Sequence, residues 1–326
     1  MVFHGSSRLM SNSCAEPSLR GLSQSVEEVD VSKMVLLAIL LLLFAGFAKA
    51  AQSPDYLDQY GDFLAAHVRG SVVNYAGIKA DMARLDVTLA LMAAENPEAL
   101  ARPDRVALYI NAYNLWTIRL IMDHWPGISS IKEAGGFLAS PWKRSFVRLG
   151  GQTFSLDDIE HGILRRQYPD PRLHFVLNCA SKSCPPLLSV PYRGEVLDAM
   201  LEERTRACLN DPAGARVDGG RLRLIRIFDW YAEDFGGRDR QWEFVRRFAG
   251  PALGAALDAL AERRPVYDDY DWSLNDAPGP WTSALIGADA PLVGVGGDGP
   301  PSGEPLGQPP QGDGTGSAPA AMPERP

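Results

Sequence analysis

Asp104-Arg-Val-Ala-Leu-Tyr-Ile-Asn-Ala-Tyr-Asn-Leu-Trp-Thr-Ile-Arg-Leu-Ile-Met-Asp-His124 is apolar around most of a helical wheel and stops before Trp125-Pro126-Gly127, where proline and glycine end a helix. Val106, Leu108, Ile110, Tyr113, Leu115, Trp116, Ile118 and Ile121 leave little polar face, so the segment reads as a helix buried nearly all round. Such a helix requires a domain wrapped around it. Asn111 and Asn114, three residues apart, project from one side, and buried amides need partners. Either they tie the helix to loops or they offer hydrogen bonds to a ligand.

Working outward, the 3.6-residue periodicity predicts helices over residues 56–68, 79–94, 155–167, 195–209, 242–248 and 252–262. Strand signals are fewer. Arg148-Leu-Gly-Gly-Gln-Thr-Phe154 reads as a hairpin, as do residues 216–218 and 221–225 across Gly219-Gly220. Residues 172–179 alternate as a further strand. The fold class expected is α+β, a helix-rich single domain with a small mixed or antiparallel sheet.

That domain is expected over residues 51–276. Before it, residues 1–50 read as a polar leader and secretory signal: the apolar run 35–47 is preceded by Lys33 and followed by Ala48-Lys49-Ala50, the pattern of a cleavable signal. The run falls short of the roughly twenty residues of a membrane span. Export to the periplasm or outside the cell is therefore expected, with an uncleaved membrane anchor as the alternative. After it, residues 277–326 are rich in Gly, Pro, Ser and Ala and read as a disordered tail.

The 326-residue chain has 32 Lys and Arg against 40 Asp and Glu, a formal charge of minus eight. This balance argues against nucleic acid as a partner, since phosphate-backbone binding needs a basic footprint. The partner expected is a small-molecule or peptide ligand. Membrane contact is expected only through an uncleaved signal segment. Residues 51–326 keep Cys179, Cys184 and Cys208, an odd number in a compartment where disulfides persist.

Chemistry concentrates in Arg172-Leu-His-Phe-Val-Leu-Asn-Cys-Ala-Ser-Lys-Ser-Cys-Pro-Pro186. Read as a strand, it puts Arg172, His174, Val176 and Asn178 on one face and Leu173, Phe175, Leu177 and Cys179 on the other. Cys179 then packs as a small hydrophobe. Cys184 lies beyond, in a turn or first helical turn, and serves either as a nucleophile or as a packed or paired thiol. Upstream, Ser155 and Asp158 form a capping-box-like helix start. Glu160 falls within the apolar stripe of that helix, and a buried carboxylate needs a partner. Arg172 is the partner expected, with His174 alongside and His161 at the helix edge.

Asn74-Tyr-Ala-Gly-Ile-Lys79, Tyr109-Ile-Asn-Ala-Tyr-Asn114, Ser155-Leu-Asp-Asp-Ile-Glu-His161, the 172–185 block, and Ile227-Phe-Asp-Trp-Tyr231 with Asp234-Phe235 together resemble the domain of unknown function 547 family. Tyr270-Asp-Trp-Ser-Leu-Asn275 is similar to that family's closing segment. The resemblance implies a domain found in many exported bacterial proteins and in plant proteins, and it carries no settled activity.

From the residues themselves, the expected function is a cysteine-dependent hydrolase or acyl-transferase. Cys184 is the nucleophile, His174 its base, and Glu160 or Asn178 orients the imidazole. Arg172, Asn111, Asn114, His161, Tyr231 and Asp234 are candidate binding residues. The alternative is a non-catalytic binding module or structural domain with a buried polar cluster and a Cys179–Cys184 disulfide. The His, Cys and Glu residues lack paired metal-ligand spacing, so neither a metal nor another cofactor is expected.

Overall fold

The computed structural model describes residues 55–135 and 140–277. The leader, the signal-like run and the Gly/Pro-rich tail lie outside the described residues, as does Cys14. The helical elements are α1 (Tyr56–His67), α2 (Tyr75–Ala80), α3 (Met82–Ala94), α4 (Arg102–Met122), α5 (Leu197–Asn210), α6 (Ile227–Trp230), α7 (Gln241–Phe248) and α8 (Pro251–Asp258). Strands are short: β1 (Val68–Arg69) with β2 (Val72–Val73), β3 (Val147–Leu149) with β4 (Gln152–Phe154), and β5 (Ala215–Asp218) with β6 (Arg221–Leu224) and β7 (Val266–Tyr267). Both hairpins predicted from the glycine pairs are present, and β7 joins β6 in parallel. The architecture is helix-rich α+β with small sheets.

The predicted central helix is α4. It begins at Arg102 with Pro103 in its first turn, where a missing N–H costs nothing. Leu108, Ile110, Leu115, Leu120 and Ile121 are fully buried, each such side chain contributing roughly 1.5–3 kcal/mol by leaving water. Both asparagines are satisfied by backbone. Asn111 donates to the Tyr192 carbonyl (2.8 Å) and accepts from the Tyr192 N–H (2.9 Å). Asn114 donates to the Val176 carbonyl (2.9 Å) and accepts from the Asn178 N–H (2.8 Å). Their amides therefore dock two loops onto α4.

Two local predictions change. The helix expected over residues 79–94 is divided at Asp81, whose backbone leaves the helical region (φ −125°, ψ 35°) while its carboxylate pairs with Arg84 at 2.9 Å. Residues 172–179 are not a strand: Pro171–Phe175 form a 3-10 turn, capped where Asp170 accepts the Arg172 N–H at 2.9 Å. Proline at its first position favours that turn over a sheet edge. The alternation that separated Cys179 from His174 therefore does not operate.

The closing segment acts as a clip. Asn275 O accepts from Val73 N (2.8 Å) and Asn275 N donates to Ala180 O (3.0 Å), while Ser273 O accepts from Lys182 N (2.9 Å) and Leu274 N donates to Ser129 O (2.8 Å). One stretch of chain thus ties β2, the 129–130 loop and the 180–182 loop together, and carries Tyr270 and Trp272 beside the cysteines.

Candidate active site

The 176–186 loop is fixed by side chains that satisfy its backbone. Asn178 donates to the Pro185 carbonyl (2.9 Å) and accepts from the Ala180 N–H (2.9 Å), closing the turn that carries both cysteines. Ala180 is held at φ 60°, a left-handed conformation costing an alanine roughly 1–2 kcal/mol. Such strain persists only where surrounding bonds impose it, here those of Asn178 and Asn275. Ala180→Gly is accordingly expected to leave thermal stability unchanged or raise it by up to about 1 kcal/mol, once glycine's greater unfolded-state freedom is offset against the relieved strain. Urea denaturation measures it.

The next layer is ionic. Ser155 and Asp158 make the predicted reciprocal cap, Ser155 N donating to Asp158 Oδ2 (2.8 Å) and Asp158 N to Ser155 Oγ (3.0 Å). The segment that follows, Asp158–Arg165, has a wider π-type turn, a geometry frequent at functional sites. It brings Arg165 Nη1 within 3.0 Å of His161 Nδ1 and sets the guanidinium 4.8 Å from the Tyr231 ring centre. Arg165 donates two bonds to Asp234, Nε to Oδ2 at 2.6 Å and Nη2 to Oδ1 at 2.8 Å. The same Oδ2 lies 2.6 Å from His174 Nε2.

Burial raises the Asp234 carboxyl pKa, but hydrogen bonds from His174 and Arg165, with their charges, outweigh it and hold the group well below the usual carboxylate range. Asp234 is thus ionised and can only accept, so His174 Nε2 carries a proton and, in the neutral ring, Nδ1 keeps its lone pair. No hydrogen bond from a described residue reaches Nδ1. The imidazole stacks on Tyr231 with ring centres 4.0 Å apart, and the Tyr231 hydroxyl donates to Glu160 Oε1 at 2.7 Å.

Beside these groups lies a cavity of about 30 Å³ lined by Glu160, His174, Cys179, Cys184, Tyr231 and Tyr270, among others. That volume accommodates a water molecule. Trp230 and Trp272, stacked at 5.4 Å, extend its aromatic wall. Cys184 also lines a second, larger cleft of about 430 Å³, so this one residue is common to both spaces.

Both thiols are buried and neither forms a disulfide. Cys184 Sγ accepts from the Cys179 N–H at 3.0 Å, and Cys179 Sγ lies 3.1 Å from the Tyr270 hydroxyl. Burial, reinforced by the neighbouring Cys179 thiol, pushes Cys184 well above the ordinary thiol range, with the Cys179 N–H and the Tyr270 hydroxyl opposing it. Burial likewise pushes Cys208 up to about 12. A folded-state pKa above the unfolded value gives stability that is complete below the unfolded value, near 8.5 for a thiol, and is lost as pH rises toward the folded one. Stability from urea unfolding is expected to fall by on the order of 5 kcal/mol, shared between the two thiols, from about pH 8 to about pH 10.5. Unchanged stability across that range would contradict the burial of these thiols.

Several site expectations are corrected. Arg172 does not pair with Glu160: its Nη2 donates to Asp170 (2.7 Å) and Asp198 (2.7 Å), because the 3-10 turn aims it toward α5. Glu160 and Asn178 do not orient His174, since Asp234 does. The nitrogen facing Asp234 is Nε2, which leaves Nδ1 to act as the base. His161 sits against Arg165 and, through Nε2, 3.7 Å from Asp157 Oδ1, outside the cavity lining. Cys179 shares the cavity it was expected to turn away from. No disulfide joins Cys179 to Cys184. Among the described residues, no group of three or more His, Cys, Asp and Glu side chains is placed to hold a metal.

The residues missed were Arg165 and Tyr270. Arg165 stands one turn beyond His161, a spacing that signals contact on one helix face. Tyr270 had no local signal, because its partner is 91 residues away.

The scan against family models matches residues 97–209 to the family described as "Protein of unknown function, DUF547". The match includes Glu160, His174, Cys179 and Cys184, and ends before Tyr231, Asp234 and Tyr270. No curated protein and no solved structure matches the chain. Residues 97–209 are therefore similar to the DUF547 family, the family that the sequence blocks resemble.

Proposed function

We propose that the protein is exported and performs cysteine-dependent acyl transfer, hydrolysis included, with Cys184 as nucleophile and His174 as base. The observation that carries this reading is the Asp234–His174 pair: an ionised carboxylate holds Nε2 at 2.6 Å while the ring lines a cavity shared with the Cys184 thiol. A thiol and a base oriented by a third group, lining one cavity, are the parts such catalysis needs, and proton transfer requires substrate entry to bring Nδ1 within reach of Sγ. Because Cys184 rests as a neutral thiol, the base is required. Its proton passes to His174 Nδ1 as Sγ bonds to the acyl carbon. Collapse of the tetrahedral intermediate breaks the bond to the leaving group, which takes the proton from His174. Water, deprotonated by the same nitrogen, then attacks the thioester, releasing the acid and restoring the thiol. Export rests on the signal-like run at residues 35–47.

A second reading, a binding module without chemistry, is favoured by the burial of both thiols and the small inner cavity. Mass spectrometry of the full chain after exposure to 4-nitrophenyl acetate separates the two. The acyl-transfer reading expects an acetyl group on the Cys184 peptide, formed more slowly in His174→Gln. Acetylation confined to lysines or the amino terminus favours the binding module.

A further inference from the structure

Arg204 is the buried cation of the larger cleft. It projects from α5 and is 6% exposed, yet no carboxylate of the described residues lies within ion-pair distance of it. Its company is neutral. Nη2 donates to the Pro186 carbonyl at 3.1 Å, the Tyr192 hydroxyl lies beside it, and Nε has no hydrogen-bond partner. A buried charge without a counter-charge is strongly unfavourable, and a guanidinium is the group best shaped to receive a carboxylate through two parallel bonds.

The cleft around it fits that role. Its volume, about 430 Å³, lies within the range of small-molecule sites. Lys182, Ser183, Cys184, Cys208 and Asp268 share the lining with Arg204. The acidic residues there are mostly neutralised: Asp268 by Arg216 and Arg223, and Asp269 by Arg226. Asp211 accepts the Ala213 N–H at 2.8 Å, and Lys182 lines the same cleft. Pro186, which anchors Arg204, is two residues beyond Cys184, so the backbone between them spans at most about 7 Å. A short molecule can reach both.

We infer that this cleft binds a carboxylate-bearing acyl substrate, its free carboxylate on Arg204 and its reactive carbonyl at Cys184. The inference rests on the acyl-transfer reading for the fate of the carbonyl, while the carboxylate site is independent of it.

The test uses the full chain with succinate as probe and dimethyl succinate as its uncharged counterpart, followed by isothermal titration calorimetry. Succinate is expected to bind and the diester not. Arg204→Gln is expected to weaken succinate by about tenfold or more, the loss of a charge-assisted pair. Since removal of a buried arginine can impair folding, Ala207→Glu provides a second variant. Ala207 is an exposed residue of the same cleft wall, and a carboxylate there is expected to weaken succinate while leaving the circular dichroism spectrum unchanged.

Mono-4-nitrophenyl succinate is then compared with 4-nitrophenyl acetate for acylation of Cys184. Faster acylation by the succinate ester, lost in Ala207→Glu, supports both readings. Succinate binding without any acylation leaves the carboxylate site standing and removes the acyl chemistry. Acylation without succinate binding or succinate preference overturns the inference and leaves the acyl chemistry standing. Equal binding of succinate and its diester also overturns it.

Discussion

Cys184→Ala is expected to abolish acylation by activated esters, with a loss of roughly 10³-fold or more in the single-turnover rate, because of the two thiols lining the larger cleft, Cys184 and Cys208, only Cys184 also lines the cavity that holds His174. Cys179→Ala is expected to retain most of that rate, since Cys179 lines the inner cavity and not the cleft. The comparison requires a folded control, because Cys184 Sγ accepts the buried Cys179 N–H at 3.0 Å. Leaving that amide unpaired costs about 1–3 kcal/mol. Cys184→Ser restores an acceptor at the same position while remaining a poor nucleophile. It should therefore match Cys184→Ala in rate and approach the parent in stability. A Cys184→Ala protein that still acylates at the parent rate would exclude this sulfur.

Asp234→Ala should destabilise the fold by roughly 2–4 kcal/mol. This is somewhat less than the ~3–5 kcal/mol of a fully buried pair, since about a quarter of the Asp234 side chain reaches solvent. The loss arises because Arg165 and His174 both remain, the former without the carboxylate that received two of its N–H groups. The same variant is expected to slow Cys184 acylation by about 10²–10⁴-fold, as the imidazole loses its orientation and its preferred tautomer.

Asp234 is a positioning residue, so a pH readout separates its role from simple destabilisation. Its folded pKa is depressed by His174 and Arg165 against the opposing effect of burial. The stability it contributes is therefore present above the unfolded value near 3.9 and is lost as pH falls from there toward the folded value. Acid unfolding of the parent should steepen below about pH 4, and Asp234→Asn should flatten that limb. In the same variant the acylation rate near neutral pH falls, although its fold persists. Identical acid limbs in parent and variant would show that Asp234 does not carry the pair.

Local physics is strongest where a residue's partners are close in sequence. The α4 pattern could be read because every side chain from Val106 to Ile121 bears on one question, how much of a helix can face water. The two glycine pairs specify hairpins because only their φ values suit the turns. Ser155 and Asp158 cap one another across three residues. The alternation of residues 172–179 misled because an alternating sequence does not by itself impose an extended backbone: Pro171 starts a 3-10 turn, with its three-residue period, and among the described residues no strand pairs with this segment.

What the residues alone determined is a helix-rich α+β domain around one buried helix, with histidine, carboxylate and cysteines held in a short polar stretch. Only tertiary structure decided which of them meet. His174 finds Asp234 sixty residues on, Cys179 finds Tyr270, and Arg172 turns to Asp170 and Asp198 and away from Glu160. Charge pairing depends on a few ångströms of separation, and those ångströms are set by how the 227–235 and 270–277 segments pack onto α4 and its loops, which no local period encodes.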